Sequence, residues 1–521
     1  MATINIVGIG SSWAVPGVYV ELDFAQGPVS GSGSARTTLV LGSKTAAGSA
    51  TADTAVYGPD TTVPCQTEAD VIALFGAGSK CHRAYLRFTG VNQTTSLYFI
   101  AVAPSAGAAA TLTETITATA TGPGTHRTYC EDMFVDTAIN VGDTPAAIAA
   151  NIVASVNSQT RWPVTASSAA GVVTYTAVEA GPEGNWIRMQ GQMIGSGVGS
   201  ATSLTANTFM SGGATAENNT NALVTIASTR YYYIVSMQSD AENLARLQAQ
   251  VDSMALPITG IRQRFIAGSN DTTANAITMA TTLNDARGEL VWCRATDVAP
   301  GEAAAHMTGV YASLEQGAAF GVNRKNFSLF PTSPTDAASW QLTGGRAGVG
   351  GAPTKITLQS LLQNGVTPIT VLPNGSAQLV KRITTRSLDG TVSDFRVRDA
   401  HKVSVCDYWC DDAAALTALE FGGKDLLPDP VQGQPPPPPV ATTPSLWGNE
   451  LKRLVNDYGN AGQWSYPPGV TPQPGQTPAD VINGTAVIQA ETNPPDRLSA
   501  LFQLSPVNIA DQFNILAQQV G

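Results

Sequence analysis

The two ends of this chain constrain it most. Pro16-Gly17-Val18-Tyr19-Val20-Glu21-Leu22-Asp23-Phe24 alternates strictly: Val18, Val20, Leu22 and Phe24 are apolar, while Tyr19, Glu21 and Asp23 can face water. A period of two describes a half-buried β-strand. At the other end Val507, Ile509, Phe513 and Ile515 alternate with Asn508, Gln512 and Asn514, interrupted by Asp511. Neither strand has a hairpin partner beside it, and an open edge leaves a row of N–H and C=O groups to be satisfied. The pattern predicts two extended arms, 1–30 and 506–521, that pair with other copies of the chain. Such a protein is a polymer stitched by its own ends.

Between the arms there is room for two to four domains in 521 residues. Hydrophobic residues make up 43%, enough for packed cores, but only 13% are charged, which suits broad uncharged contact surfaces better than a freely diffusing enzyme. A formal charge of −11 gives no reason to expect nucleic acid or an anionic membrane as a direct partner. No run approaches the roughly 18–20 apolar residues of a membrane span. The start lacks a basic region followed by an apolar core, so synthesis and assembly in the cytoplasm are expected. Six cysteines (Cys65, Cys81, Cys130, Cys293, Cys406, Cys410) are too sparse for a disulfide framework and are expected as buried thiols.

The texture of the chain divides it further. Thr38–Gly42 and Leu97–Val102 read as buried strands of a core domain that begins at 31 and breaks at 104. From 105 to 215 the composition turns to Thr, Ala and Gly with alternating strands. Thr144-Pro145 starts a helix there, with Ile148, Ile152 and Val156 on one face. Strands near Val164 and Val172–Val178 follow, then a turn at Gly181–Asn185 and a strand from Trp186. This is an inserted β-rich module. The core resumes over 216–396 with strands at Tyr231–Met237, Phe265–Ala267 and Glu289–Ala295, each followed by a helix; Asp240 caps the first and Pro300 opens the third. Strands about thirty residues apart with helices between them make a mainly parallel βαβ sheet. A C-terminal α+β domain spans 397–505, with Ser445 expected to cap a helix carrying Trp447, Leu451, Leu454, Val455 and Tyr458. Its Pro-rich runs at 431–445 and 466–478 are exposed loops. The fold class is thus a multidomain α+β/α/β chain with a discontinuous core.

Residues that could carry chemistry are few. Gly76-x-Gly78-Ser79-Lys80 lacks the Gly-Lys-Ser/Thr end of a phosphate loop and reads as a turn or helix stop. No G-x-G-x-x-G follows the first strand of the βαβ run, where Met237 leads into Gln238-Ser239-Asp240. His401, Cys406 and Cys410 leave a tetrahedral zinc site incomplete. His82, His126 and His306 are scattered, and there is no nucleophile elbow. Asp411-Asp412, Asp425 and Asp429 read as solvated faces. An enzyme built on the βαβ domain would gather polar groups at the carboxyl ends of its strands, where Gln238, Ser239, Asp240, Asn270 and Asp271 fall. Lys452-Arg453 is a basic pair on the outer side of the Trp447 helix, next to Glu450 and Asp457. No catalytic, cofactor or metal residue is singled out.

Several pieces, in order and spacing, resemble the sheath proteins of contractile phage tails and related injection systems, most closely the Mu-like branch. They are Pro16-Gly17-Val18-Tyr19-Val20-Glu21, Phe75-Gly76-Ala77-Gly78-Ser79, Gly142-Asp143-Thr144-Pro145 and Gly184-Asn185-x-Ile187. The ending Asp496-Arg497-Leu498 … Pro506-Val507-Asn508-x-Ala510-Asp511-Gln512-Phe513 completes the set. The two Pro-rich loops depart from the family pattern. The resemblance implies a virion component without enzymatic activity or cofactor. In that family, hexameric rings stack helically around a tail tube and contract to drive it through a target envelope. Its implied partners are other copies of itself, the tail tube protein, and baseplate and tail terminator proteins. It also implies strand exchange through Val18, Val20, Leu22, Phe24, Val507, Ile509, Phe513 and Ile515. The C-terminal domain would face the tube, with Lys452 and Arg453 as contact candidates. An α/β enzyme, hydrolytic or nucleotide-using, and another virion or adhesin component are the competing readings.

Overall fold

The computed structural model describes residue 18 and residues 36–195, 202–316, 341–342, 352–371, 377–394, 396, 398–431, 433–460, 462–467, 470–491 and 497–506. Of the arm residues named above, Val18 is described and exposed; Val20, Leu22, Phe24, Val507, Ile509, Phe513 and Ile515 lie outside the described residues.

The core opens with β1 (Thr38–Ser43), the short β2 (Val56–Tyr57), α1 (Glu68–Phe75), α2 (Lys80–Thr89) and β3 (Leu97–Val102). The module follows as β4 (Ala109–Thr115), β5 (Gly124–Cys130), β6 (Met133–Ile139), α3 (Pro145–Asn157), β7 (Val164–Ala169), β8 (Val172–Ala180), β9 (Arg188–Ile194) and β10 (Thr208–Phe209). The core then returns through α4 (Thr220–Ile226), β11 (Tyr233–Ser236), α5 (Ala241–Ala255), β12 (Arg264–Ser269), α6 (Thr273–Leu283), β13 (Gly288–Trp292) and α7 (Pro300–Gln316). Its far edge comprises β14 (Gln341–Leu342), α8 (Lys355–Gln363), β15 (Thr367–Val371) and β16 (Ala377–Leu379).

These strands form one sheet in the order β14-β16-β15-β13-β12-β11-β1-β3-β2. The run from β15 to β3 is parallel throughout, with antiparallel strands only at the two edges. The strands are apolar at both parities because both faces are covered. Val40, Phe99, Val235, Ile266 and Val291 pack with Ala84 and Phe88 of α2 and Met307 and Tyr311 of α7. Leu39, Leu41, Ile100, Ile234 and Phe265 face the other way, onto Leu223 of α4 and Leu247 and Val251 of α5. Each such side chain contributes roughly 1.5–3 kcal/mol on burial. The helices start where the sequence puts hydroxyl or carboxylate caps: Thr67, Ser79, Asp240 and Thr272 each accept from the backbone N–H three residues on. Gly268 is required by close approach, since a Cβ there would sit 1.9 Å from the Pro300 carbonyl oxygen.

The module has a buried core of its own. A three-stranded sheet (β4-β8-β7), a four-stranded sheet (β10-β9-β5-β6) and α3 share residues from Ala110 to Met210, including Ile148, Ile152, Val156, Tyr175 and Met189. Thr144 caps α3 and Pro145 opens it. The expected strand from Trp186 instead begins at Arg188, because Pro182–Trp186 winds into a 3-10 turn.

The C-terminal part comprises the hairpin β17 (Leu388–Asp389)/β18 (Val392–Ser393), α9 (Ala400–Phe421), the short pair β19 (Asp425–Leu426)/β20 (Ala441–Thr442), α10 (Pro444–Asn460), α11 (Pro478–Thr485) and the hairpin β21 (Val487–Ala490)/β22 (Leu498–Leu501). Trp409, Leu451, Leu454, Val455, Tyr458 and Trp464 form its core. Thr443, not Ser445, caps α10: its hydroxyl accepts from Leu446 N, while Ser445 N donates to Asp429. The solvated reading of Asp411 and Asp412 also fails. Asp411 is held by Arg230 and Arg262, and Asp412 accepts from the Tyr458 hydroxyl.

Candidate functional site

A doubly wound sheet binds ligands outside the carboxyl ends of its strands, where the crossovers part to either side. Here that point is the end of β1, with β3 on one flank and β11 on the other. It is filled by the protein itself. Lys80 N, at the first turn of α2, donates to Glu179 Oε2 at 2.7 Å, and the Ser43 hydroxyl donates to Glu179 Oε1 at 2.6 Å. A helix N-terminus is an anion site, and its anion is a carboxylate from the end of module strand β8. The Lys80 ammonium lies 2.5 Å from Glu217 Oε1 and 3.3 Å from Glu183 Oε2. Gln238 Nε2 braces Glu217 at 2.8 Å. Burial pushes the Lys80 pKa down, but the carboxylates of Glu217, Glu183 and Glu179 reverse this and hold it above the ordinary lysine range. Burial raises the Glu179 carboxyl, with the Lys80 charge opposing.

The other groups at the strand ends are likewise structural. Asp240 caps α5 and accepts from Asn243 Nδ2 at 2.7 Å. Asn270 Nδ2 donates to Val298 O at 3.1 Å, and its Oδ1 accepts from the Cys293 thiol. Asp271 accepts from Thr272 N and Asn275 Nδ2. These side chains cap helices and brace loops.

The motif Phe75–Lys80 turns out to be a docking corner. Gly76 ends α1 at φ 86° and Gly78 follows at φ 72°; Ser79 caps α2. A Cβ on Gly78 would lie 2.2 Å from the Trp162 carbonyl oxygen of the module. Gly78 N donates to His82 Nδ1 at 3.0 Å, which places the ring proton on Nε2, 3.2 Å from Glu68 Oε1. Glu68 in turn takes a two-point contact from module residue Arg161 at 2.8 and 2.6 Å. Burial lowers the His82 pKa.

Farther along α2, Arg83 Nη1 is 2.5 Å from Glu302 Oε1 of α7 and 3.5 Å from Glu131 Oε1 at the β5–β6 turn. Arg87 bridges Glu302 at 2.6 Å and Asp132 at 2.5 Å. Arg188, fully buried, donates to the carbonyls of Thr296 and Arg294 and lies 3.6 Å from Asp297. Toward the other end of α7, Arg382 binds Glu289 at 2.6 Å and Glu315 at 3.0 Å, and its guanidinium stacks 3.8 Å from the Tyr311 ring centroid. The Tyr408 hydroxyl and Ser404 of α9 donate to Glu315, tying the C-terminal part to the sheet. Arg287 and Asp407 make a second two-point bridge at 2.8 and 2.9 Å.

None of these seams was read from the sequence, because the partners are separated by up to 219 positions. One signal was available: Lys80, Arg83 and Arg87 recur at helical spacing on the buried side of α2, an arrangement that demands acidic partners. Of the tube-contact candidates, Arg453 is engaged within α10 by Glu450 at 2.6 Å and Asp457 at 3.0 Å, so it is not free. Lys452 makes no ion pair among the described residues. Cys406 and Cys410 are buried thiols, like the other four cysteines; the His401 side chain is outside the described set. Among the described residues no cluster of His, Cys, Asp and Glu suits a metal ion, and no helix is long and apolar enough to cross a membrane.

No family model matches the chain. It is 27% identical, over 99% of its own length and 99% of the relative's, to a Mu-like prophage FluMu tail sheath protein of Haemophilus influenzae. Among solved structures it is similar to a sheath tail protein of Desulfitobacterium hafniense, at 12% identity and a TM-score of 0.46, covering 95% of this chain and 97% of that one. The helical sheath of the anti-feeding prophage in its contracted state gives 11% identity and a TM-score of 0.42, covering 97% and 99%. The resemblance to tail sheath proteins seen in the sequence motifs is therefore met end to end by a curated relative.

Proposed function

We propose that this chain is the structural subunit of a contractile tail sheath in a phage-like particle. The observation that carries the reading is similarity to a tail sheath protein over the whole chain, without a large gap at either end. In this reading, copies polymerise as stacked hexameric rings around a tail tube, join a baseplate at one end and a terminator at the other, and contract to push the tube through an envelope. The arms 1–30 and 506–521 exchange strands between copies, the module 105–215 sits on the outside, and the domain 397–505 faces the tube. A subunit of this kind has to move as a rigid body while its arms flex. The buried seams that clamp module and C-terminal helices onto one sheet supply that rigidity, and at the end of β1 the groups that meet Lys80 are the protein's own carboxylates.

Electron microscopy of the purified full chain tests the proposal directly. Tubes or rings are expected, and a version lacking residues 1–24 is expected to remain folded but dispersed. Dispersed monomers from the intact chain at high concentration, or normal tubes from the truncation, would overturn it.

A further inference from the structure

The corner where the module meets the sheet closes on one imidazole. His82, on the first turn of α2, is fully buried, and both of its ring nitrogens are engaged. Nδ1 accepts from Gly78 N at 3.0 Å, and Nε2 lies 3.2 Å from Glu68 Oε1 on α1. A ring that accepts at Nδ1 and donates at Nε2 is neutral. A second proton would turn Nδ1 into a donor, aimed at the Gly78 N–H with no acceptor between them. Turning the Gly78 peptide away presses on the module, because Gly78 sits at φ 72° and its Cβ, if it had one, would lie 2.2 Å from the Trp162 carbonyl oxygen. Glu68 in turn is gripped by Arg161 at 2.8 and 2.6 Å. The two partners of the ring thus each meet one of two consecutive module residues.

We propose that His82 is an acid-operated latch: the neutral ring pins Gly78 and Glu68, and through them Trp162 and Arg161, and one proton taken from solvent at Nδ1 releases the module at this corner. The charged groups around the ring do not stabilise that proton. Glu68 is the carboxylate in contact with it, and Arg161 already binds both oxygens of Glu68. Lys80 and Arg83, close to His82 on α2, direct their charges to Glu217 and Glu302. Burial lowers the His82 pKa from its ordinary 6.5; Glu68 opposes this, and repulsion from Arg161 and Arg83 adds to it. A group whose pKa is lowered on docking supports docking fully above about pH 6.5. That support declines as pH falls toward the lowered value, by up to about tenfold per pH unit. Glu179, which accepts from Lys80 N, acts in the opposite sense, since burial raises its carboxyl and favours docking at low pH. The latch belongs to the single chain and operates whether or not copies polymerise.

Amide hydrogen exchange on the full chain reads the latch, with rates corrected for the intrinsic effect of pH. His82→Asn keeps an acceptor near the place of Nδ1 and cannot take up a proton, while the Glu179 contribution is the same in both proteins. From pH 7.5 to 5.5, opening of segments 76–82 and 158–164 in the wild type, relative to His82→Asn, is expected to rise roughly three- to tenfold. Strands β11 to β13 should stay protected in both. A ratio that stays constant or falls on acidification would overturn the proposal. Ring-nitrogen NMR of the wild type with isotope-labelled histidine covers the case of a variant that does not fold. The chain has four histidines, and the His82 signal is assigned by replacing the other three. A neutral ring with its proton on Nε2 at pH 7.5 and a protonation midpoint below 6.5 is expected. A proton on Nδ1 at pH 7.5, or a midpoint at or above 6.5, overturns the latch.

Discussion

Where α9 meets the sheet, Arg36, Arg264 and Arg382 gather around Glu289 and Glu315; where the module meets it, Glu179, Glu183 and Glu217 gather around Lys80. The first seam has a surplus of cations and the second a surplus of anions, both buried. They are relieved by different means. A guanidinium does not give up its proton, so the surplus is placed against aromatic faces: Arg36 lies 3.8 Å from the Tyr408 ring and 4.4 Å from that of Tyr232, and Arg382 lies over Tyr311. Carboxylates have no such recourse, and burial instead raises the Glu179 carboxyl, with the Lys80 charge opposing. The C-terminal seam should therefore be indifferent to pH over the neutral range, and the module seam should not.

Removing one cation from each seam should separate them. Lys80→Met removes the ammonium paired with Glu183 and Glu217, and a destabilisation of about 4 kcal/mol is expected at pH 8. At pH 5.5 the cost should shrink, as the stranded groups take up protons. Arg382→Met leaves Arg36 and Arg264 facing Glu289 and Glu315 in equal number. We expect about 3 kcal/mol from broken hydrogen bonds and lost packing, the same at both pH values. Urea denaturation at the two pH values checks both; equal pH dependence in the two variants would break the distinction.

Asp285 sharpens the comparison because it is a buried carboxyl outside both of these clusters. Burial, with the negative charge of Asp252 adding to it, pushes its pKa up to about 7. Its backbone contacts hold it in place: Oδ1 accepts from Arg287 N at 2.8 Å. A carboxyl raised on folding stabilises the fold fully below its ordinary value near 3.8 and loses that contribution as pH climbs toward 7. Asp285→Asn should flatten the decline in stability between pH 5 and 8 by roughly 2–3 kcal/mol. An unaltered profile would mean that the Arg287–Asp407 bridge already neutralises this pocket.

Gly78→Ala probes the module seam without changing charge. A positive φ and the Trp162 carbonyl at 2.2 Å leave no place for a methyl group. A loss of about 2 kcal/mol is expected, with protease cleavage appearing first at the module joint. Uniform destabilisation, with no preference for the joint, would place the strain in the α1–α2 corner alone.

How much of this could be read beforehand follows the range of the interactions. The βαβ part was legible because its signals are local: apolar runs of strand length, a cap at Asp240, Pro300 opening α7, and helical spacing at Leu244, Leu247 and Val251. The helix at Pro145 was legible for the same reason. Ser445 was misread because Thr443, two residues earlier, competes for the same role, and only the chain's path decides between them. Asp411 and Asp412 looked solvated because Arg230 and Arg262 reach Asp411 from about 150 to 180 positions away, and Tyr458 reaches Asp412 from 46. A charge pattern within a helix says whether a face is wet; it cannot say that a distant arginine has dried it.

The smallest effect concerns an exposed counterpart of these seams. Arg453 is half exposed and held by Glu450 and Asp457 at helical spacing. Exposed pairs of this kind contribute a few tenths of a kcal/mol each, so Arg453→Ala should change stability by no more than about 0.5 kcal/mol. Its neighbour Lys452 has no ion pair among the described residues, and its charge is available to a partner at little structural cost. If the C-terminal domain meets an acidic tube surface through α10, Lys452→Glu should slow assembly on tubes at low salt and leave polymerisation without tubes unaltered. Salt should erase the difference, because exposed charges are screened over about 10 Å at 0.1 M. Arg453→Glu is the poorer probe, since it adds an acid between Glu450 and Asp457 and disturbs the helix whether or not a tube is present. Tube-templated assembly unaffected by Lys452→Glu at low salt would leave α10 with an ordinary solvated face, and the tube contact would have to be sought elsewhere in the C-terminal domain.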